Sequence, residues 1–266
     1  MLGAIIGDIV GSRFERNPIK NKRFKLFTKE SNFTDDSVMT IASADAIINR
    51  IPYDISYKKW GNKFTKRGYG NAFYLWLSQT ESIPYNSYGN GSAMRVSPIG
   101  LLYNNIEDVL SEAKKSAEVT HNHPEGIKAA QAVAVAIFLA KNGKTKDEIK
   151  NEIISRFNYD LNRNTINFKR SYKFDVTCQG SVPEAIICFL ESTSFEDAIR
   201  RAVALGGDSD TQAAIAGSIA EAYYQVIPRY MIESVHKILP DSIWLRVIDA
   251  GIKFNIKSVI NYKSGK

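Results

Sequence analysis

The stretch Gly206-Gly207-Asp208-Ser209-Asp210-Thr211 stands between two segments that both read as helices. Before it, Ser194 to Leu205 places apolar residues at Phe195, Ala198, Ile199, Ala202 and Leu205, one face of a 3.6-residue period. The two glycines stop that helix, since glycine accepts the left-handed geometry of a C-terminal cap. After it, Ala213 to Ile227 resumes as a helix rich in Ala, Gly and Ser, closed by Pro228. The junction presents two carboxylates and a hydroxyl at a helix start. N-capping is the simplest account, because Asp and Thr are ordinary caps and the positive end of a helix suits anions. One cap explains one of these residues, not three. Carboxylate, hydroxyl and carbonyl oxygens clustered on a rigid turn are also what a hard cation requires.

Phe33-Thr34-Asp35-Asp36-Ser37 repeats the pattern at a second helix start, followed by Val38, Ile41, Ala44 and Ile48 at spacings of three or four. Adjacent like charges destabilise a site unless a helix dipole or a cation compensates them. Brought together, Thr34, Asp35, Asp36, Asp208, Asp210 and Thr211 offer oxygen donors and no soft ligand, which favours Mg²⁺ or Mn²⁺ over zinc. Two octahedral ions want about twelve ligand positions. Several would remain for water and substrate, the mark of a catalytic centre rather than a structural one.

At 266 residues the chain is long enough for a large core, and its 44% hydrophobic content is ordinary for a globular protein. No apolar run approaches the ~20 residues needed to cross a bilayer. Met1 to Ile6 lacks a basic region ahead of its apolar residues and Asp8 interrupts the run, so no secretory signal is read there. Cys178 and Cys188 are expected as buried free thiols in a reducing cytoplasm. The formal charge of +7 suits an anionic ligand, but the Lys and Arg residues are scattered. Neither nucleic acid nor membrane is expected as a partner, and a monomer is the expected state.

Along the chain, Met1 to Val10 reads as a short, mostly buried helix with Gly3, Gly7 and Gly11 four apart, permitting close approach of another backbone. Glu15 stands alone between Arg13 and Arg16 and reads, by itself, as a surface acid. Tyr53 to Gln79 is helical with a break at Arg67 to Asn71. Ser87-Tyr88-Gly89-Asn90-Gly91 is either a turn or a loop whose free N–H groups face phosphate oxygens. Ile106 to Thr120 is amphipathic, and Gly126 to Ala140 is apolar almost all round and belongs to the centre of the core. Between them, His121 and His123 sit at i and i+2 and do not face each other on a helix, which argues against a zinc pair. Ser181-Val182-Pro183-Glu184 reads as a capping box opening a helix through Leu190. A short basic C-terminal tail is expected near 252–266.

Gly7-Asp8-x-x-Gly11-x-x-x-Glu15, Thr34-Asp35-Asp36, Ser87-Tyr88-Gly89-Asn90-Gly91-x-x-Met94-Arg95, Thr120-His121 and Gly206 to Thr211, in this order, resemble the ADP-ribosylglycohydrolase family. The resemblance runs from residue 3 to about residue 225. It implies an all-α, compact single-domain fold around a binuclear centre of two Mg²⁺ or Mn²⁺ ions. It also implies hydrolysis of the N- or O-glycosidic bond of an ADP-ribosylated protein or small molecule. Thr34, Asp35, Asp36, Asp208, Asp210 and Thr211 become metal ligands by this resemblance. Ser87, Tyr88, Gly89, Asn90 and Gly91 become a diphosphate cradle, with His121 on the ribose side. Asp36 or Glu15 becomes the proton acceptor. Some relatives that reverse arginine modification carry an acid near Gly68-Tyr69-Gly70, where this chain has none. A catalytically silent ADP-ribose binder and a metal-dependent nucleotide diphosphate phosphohydrolase are the competing classes.

Overall fold

The computed structural model describes residues 1–264. The chain opens with α1 (Leu2–Gly11), α2 (Asp35–Asn49), α3 (Tyr53–Lys63), α4 (Asn71–Ser78), α5 (Gly91–Met94) and α6 (Ser97–Leu102). It continues through α7 (Ile106–Glu118), α8 (Pro124–Lys141), α9 (Lys146–Phe157), α10 (Thr165–Phe168) and α11 (Cys178–Leu190). It closes with α12 (Phe195–Leu205), α13 (Ser209–Tyr224), α14 (Arg229–Ile238), α15 (Asp241–Lys253) and α16 (Lys257–Lys263). Among the described residues the only β pairing is an isolated bridge between Gly89 and Thr177.

One apolar cluster runs from Met1 to Val259. Helices α2, α8 and α13 lie inside it, as their small and apolar sequences require; every residue of α13 from Ser209 to Ala222 is buried. Helix α1 is buried along its whole length against α13. The glycine spacing explains how. A Cβ on Gly3 would stand 2.3 Å from the Gly217 carbonyl oxygen, one on Gly7 2.1 Å from that of Ala213, and one on Gly11 2.4 Å from that of Ser209. Gly217 faces Gly3 in return. The two backbones touch because no side chain separates them.

Such a contact cannot relax by rotating a side chain, so the helices must part. Gly7→Ala is expected to lower stability by about 2–3 kcal/mol, against the usual gain of Gly→Ala within a helix. Urea midpoints check it, and an unchanged midpoint would show that the seam yields.

Several details differ from the sequence reading. Helix α13 runs Ser209–Tyr224 rather than Ala213 to Ile227, and it is ended by left-handed Gln225, not by Pro228. Helix α11 starts at Cys178, three residues before the expected capping box. Thr177, in extended conformation, accepts from Gly180 N and is the cap, and Pro183 lies inside the helix. Gly206 is left-handed (φ +71°) as expected, but Gly207 is required for another reason: a Cβ there would lie 2.4 Å from the Tyr172 ring. The expected basic tail is helical through Lys263. Val259 is buried against Gly251, where the missing side chain leaves room for it; Gly265 and Lys266 lie outside the described residues.

The chain's ends meet on one carboxylate. Glu221 Oε2 accepts from the Met1 ammonium (2.5 Å) and from Gly3 N (2.8 Å), while Oε1 accepts from Ser258 Oγ (2.6 Å). Both cysteines are buried and free.

Candidate active site

The α1–α13 seam brings the starts of α2 and α13 to one place. Thr34 caps α2 by accepting from Asp36 N (3.3 Å). Asp8, on the buried last turns of α1, completes that cap: it accepts from Thr34 N (2.9 Å), Thr34 Oγ1 (2.8 Å), Ser37 N (3.1 Å) and the Ser37 hydroxyl. With these donors supplied, Asp35 and Asp36 are free of capping duty. At α13 the capping account fails outright. Asp208 holds the N-cap position but makes no capping hydrogen bond. Its Oδ2 instead accepts from Asn90 Nδ2 at 2.7 Å. The Thr211 hydroxyl donates across to Asp36 Oδ2 at 3.3 Å, so the two acidic helix starts are in contact.

They line a cavity of about 400 Å³, within the range of small-ligand pockets. Glu15, Thr34, Asp35, Asp36, Asp208, Asp210 and Thr211 form its acidic wall. Ser87, Gly89, Asn90, Gly91 and His121 also line it, with Phe174 and Val176 beside them.

Charge is concentrated here without compensation. Burial, then the neighbouring carboxylates, hold Asp35, Asp36 and Asp210 well above the usual carboxylate range. Burial raises Asp8 from 3.8 to about 6 against the pull of its four donors. Asp208 is raised by burial, with Asp210 and Asn90 restraining the effect; Glu15 is raised by burial and then by Asp208. Among the described residues no Lys or Arg forms an ion pair with any of these acids. Nor do three or more of them close into a formed ligand cluster; they line a cavity rather than converge on a point. The donor set nevertheless fits a hard cation. All of its donors are oxygens, and Asp36 Oδ1 is buried with no hydrogen-bond partner.

The glycine-rich loop is pinned by its own backbone. Ser87 N donates to Thr120 O, Gly89 N to Ser87 Oγ (3.1 Å) and Asn90 N to Val176 O (2.8 Å). Much of the cradle's donor capacity is therefore already engaged, and the Asn90 side chain is spent on Asp208 and Ser181. Tyr88 does not line the cavity. Its ring is half exposed and packs against His123 with centroids 5.4 Å apart. His121 is buried, with Nδ1 2.7 Å from Thr120 Oγ1. Burial, then Arg95, holds its imidazole well below the ordinary value.

Asp8, Phe174 and Val176 were among the contributors that the sequence reading did not assign to the site. Asp8 was visible as the lone charge in an otherwise apolar helix, a residue that must find donors if that helix is buried. Phe174 and Val176 follow a polar stretch with no period and carried no signal. The Gly68–Gly70 segment does reach the cavity, and a Cβ on Gly68 would lie 3.4 Å from Asp35 Oδ1. This wall holds glycines and Asn71 where an acid was looked for.

A family model described as ADP-ribosylglycohydrolase matches residues 1–253. The chain is 26% identical to ADP-ribosylhydrolase ARH3 of Gallus gallus, covering 84% of each protein. It is 27% identical to ADP-ribosylarginine hydrolase Tri1 of Pseudomonas putida (strain GB-1), covering 88% of this chain and 72% of that one. Its fold is similar to a solved structure titled ADP-ribosylglycohydrolase-related protein complex, with a TM-score of 0.73 and 24% identity over 97% of this chain and 95% of that one.

Proposed function

The chain belongs to the ADP-ribosylglycohydrolase family, and on that premise we propose that it is a metal-dependent hydrolase releasing ADP-ribose from an ADP-ribosylated acceptor. The observation that carries this reading is the Thr211–Asp36 contact, which joins the two acidic helix starts beside an unpartnered Asp36 Oδ1. Thr34, Asp35, Asp36, Asp208, Asp210 and Thr211 would hold two Mg²⁺ or Mn²⁺ ions. When bound, the ions supply Lewis-acid polarisation and a template for the vicinal diol of the ribose.

The chain's own groups do the rest. Cleavage of a glycosidic bond passes through an oxocarbenium-like state, whose positive charge the surrounding carboxylates stabilise. A proton must leave the attacking water. Asp36 and Glu15 are the carboxylates at hand to accept it. Asn90 holds Asp208 in place, linking the glycine-rich loop to the acidic wall. The Ser87 hydroxyl and the uncommitted N–H groups of that loop face the diphosphate.

Product analysis tests the reading. An ADP-ribosylated protein and a small-molecule conjugate, each incubated with Mg²⁺ and with Mn²⁺, are expected to release free ADP-ribose. AMP would indicate a nucleotide diphosphate phosphohydrolase, and binding without turnover a silent ADP-ribose binder. The acid-free Gly68–Gly70 wall argues against arginine as the acceptor, so ADP-ribosylarginine is expected to be the poorest member of such a panel.

Gly89→Val separates the loop from the metal centre. A Cβ here would stand 3.3 Å from Ser87 Oγ, a tight contact that rotation of the hydroxyl relieves, and 3.6 Å from the Val176 carbonyl. The added side chain narrows the cavity at the loop. ADP-ribose affinity is expected to fall by about tenfold or more, ~1.4 kcal/mol, with Mn²⁺ affinity unchanged by calorimetry. Equal loss of both would make the loop a purely structural part.

A further inference from the structure

Arg95 is fully buried, its hydrogen bonds go to no carboxylate, and its Nε has no partner among the described residues. Its guanidinium donates from Nη2 to the Ser116 carbonyl (2.7 Å) and to Thr120 Oγ1 (2.9 Å), and lies 4.3 Å from the centre of the Tyr57 ring. A buried cation held this way needs a reason. The proposed reaction leaves Arg95 without a role.

The reason lies in the direction of a single proton. Arginine can only donate, so Thr120 Oγ1 accepts from it. The same oxygen stands 2.7 Å from His121 Nδ1. Thr120 has one hydroxyl hydrogen and no other acceptor for it among the described residues, so that hydrogen points at Nδ1. Nδ1 must then be the bare, accepting nitrogen of the ring, and Nε2 must carry the hydrogen. We infer that Arg95 and Thr120 are positioning residues that lock His121 in its neutral Nε2–H form and present that one N–H to the ligand beside the glycine-rich loop.

The surroundings agree. Nε2 faces Gly91 and Gly89, where added Cβ atoms would lie 3.1 and 3.8 Å from it. Side chains at either position would cover the nitrogen. Burial and the Arg95 charge both oppose a second proton on the ring, so the imidazole stays a single, directed donor at neutral pH. A neutral donor fixed from behind selects an oxygen acceptor, a ribose hydroxyl or phosphate oxygen, by geometry rather than by charge. The identity of that ligand as ADP-ribose rests on the function proposed above; the state of the ring does not.

The test is nitrogen-15 NMR of the imidazoles at neutral pH. The chain has three histidines, and a His121→Asn spectrum assigns the signal. Wild type is expected to show His121 as the pure Nε2–H tautomer without any ligand. A ring protonated at Nδ1, or doubly protonated, would overturn the inference. Thr120→Val removes the hydroxyl and should give a mixed tautomer, with ADP-ribose affinity reduced about tenfold in the presence of Mn²⁺. Thr120→Ser keeps the hydroxyl and should restore both tautomer and affinity. A Thr120→Val protein with a mixed tautomer and unchanged affinity would remove the positioning role. If wild type binds no ADP-ribose, the proposed function fails, and the wild-type tautomer alone still decides the relay.

Discussion

Asp36→Asn is expected to lose about a thousandfold or more in ADP-ribose release, ~4 kcal/mol of transition-state stabilisation. The substitution preserves shape. It removes one charge at the point where the two helix starts touch, and it takes away the basic oxygen at the unpartnered Oδ1 position. The folded protein should tolerate it well, because Asp8, Asp35 and Asp208 all repel Asp36. Without metal, the variant is expected to melt as high as wild type or higher. With metal the order reverses. Wild type gains ~2.7 kcal/mol at a hundredfold excess over the dissociation constant, and the variant should lose most of that gain. Asp208→Asn should behave alike. Melting curves with and without Mn²⁺, run beside the activity assay, decide the matter. Normal turnover by the variants and no metal response in wild type would falsify the paired-metal reading.

The second large effect is an inverted dependence of stability on pH in the metal-free protein. A carboxyl group raised in the folded state keeps its proton more tightly there than in the unfolded chain. As pH rises past the ordinary carboxylate value, the unfolded state ionises first, and stability falls until the folded value is passed. For Asp8 the window runs from 3.8 to about 6, a loss on the order of 3 kcal/mol. Asp35, Asp36 and Asp210, raised further, extend the decline upward. Asp197 acts in the opposite sense: Lys22 and Arg201 hold it at about 2, so its contribution is present above 3.8 and disappears below about 2, outside this window. His121, held well below its ordinary value, works the other way up to about pH 6.5, as one group against four raised carboxyls. Urea midpoints in a chelator should therefore still fall between about pH 4.5 and about pH 7. Saturating Mg²⁺ should turn the trend around, since cation and proton compete for the same oxygens. A metal-free midpoint that rises across this interval would show that the cluster opens to solvent.

Much of this was legible in the sequence because helices advertise themselves. The periods of Phe195 to Leu205 and Val38 to Ile48, the glycine spacing of α1 and the near-uniform apolarity of Gly126 to Ala140 each report a local rule, and each element formed where the rule placed it. The pairing of Thr34-Asp35-Asp36 with Asp208-Ser209-Asp210-Thr211 was legible by chemical economy: two unexplained acidic starts suggest one shared purpose. What stayed hidden was relational. Asp8 looked like an interruption of an apolar run until α1 proved to be buried beside α2. Asn90 read as loop chemistry, although its side chain bonds across 118 positions to Asp208. Tyr88 sat within a motif, yet its ring packs on His123 instead of lining the cavity. The start of α11 was misplaced since Ser181 and Pro183 imitate a first turn, while the true cap, Thr177, is set by the pairing of its neighbourhood with the Gly89 loop.

The bare acidic wall has a kinetic consequence. The protein as a whole carries +7, so its outer field draws a diphosphate toward it. At the cavity the sign changes. Five carboxylates look inward there, and Arg95, the cation of that lining, is turned to Ser116 and Thr120. A diphosphate arriving before any cation meets a wall of acids that offers its oxygens no positive partner at the last few ångströms of its path. On the proposed metal reading, addition is expected to be ordered, cation before nucleotide, so that scarcity of the cation would act as a lock on the door rather than a brake on the chemistry.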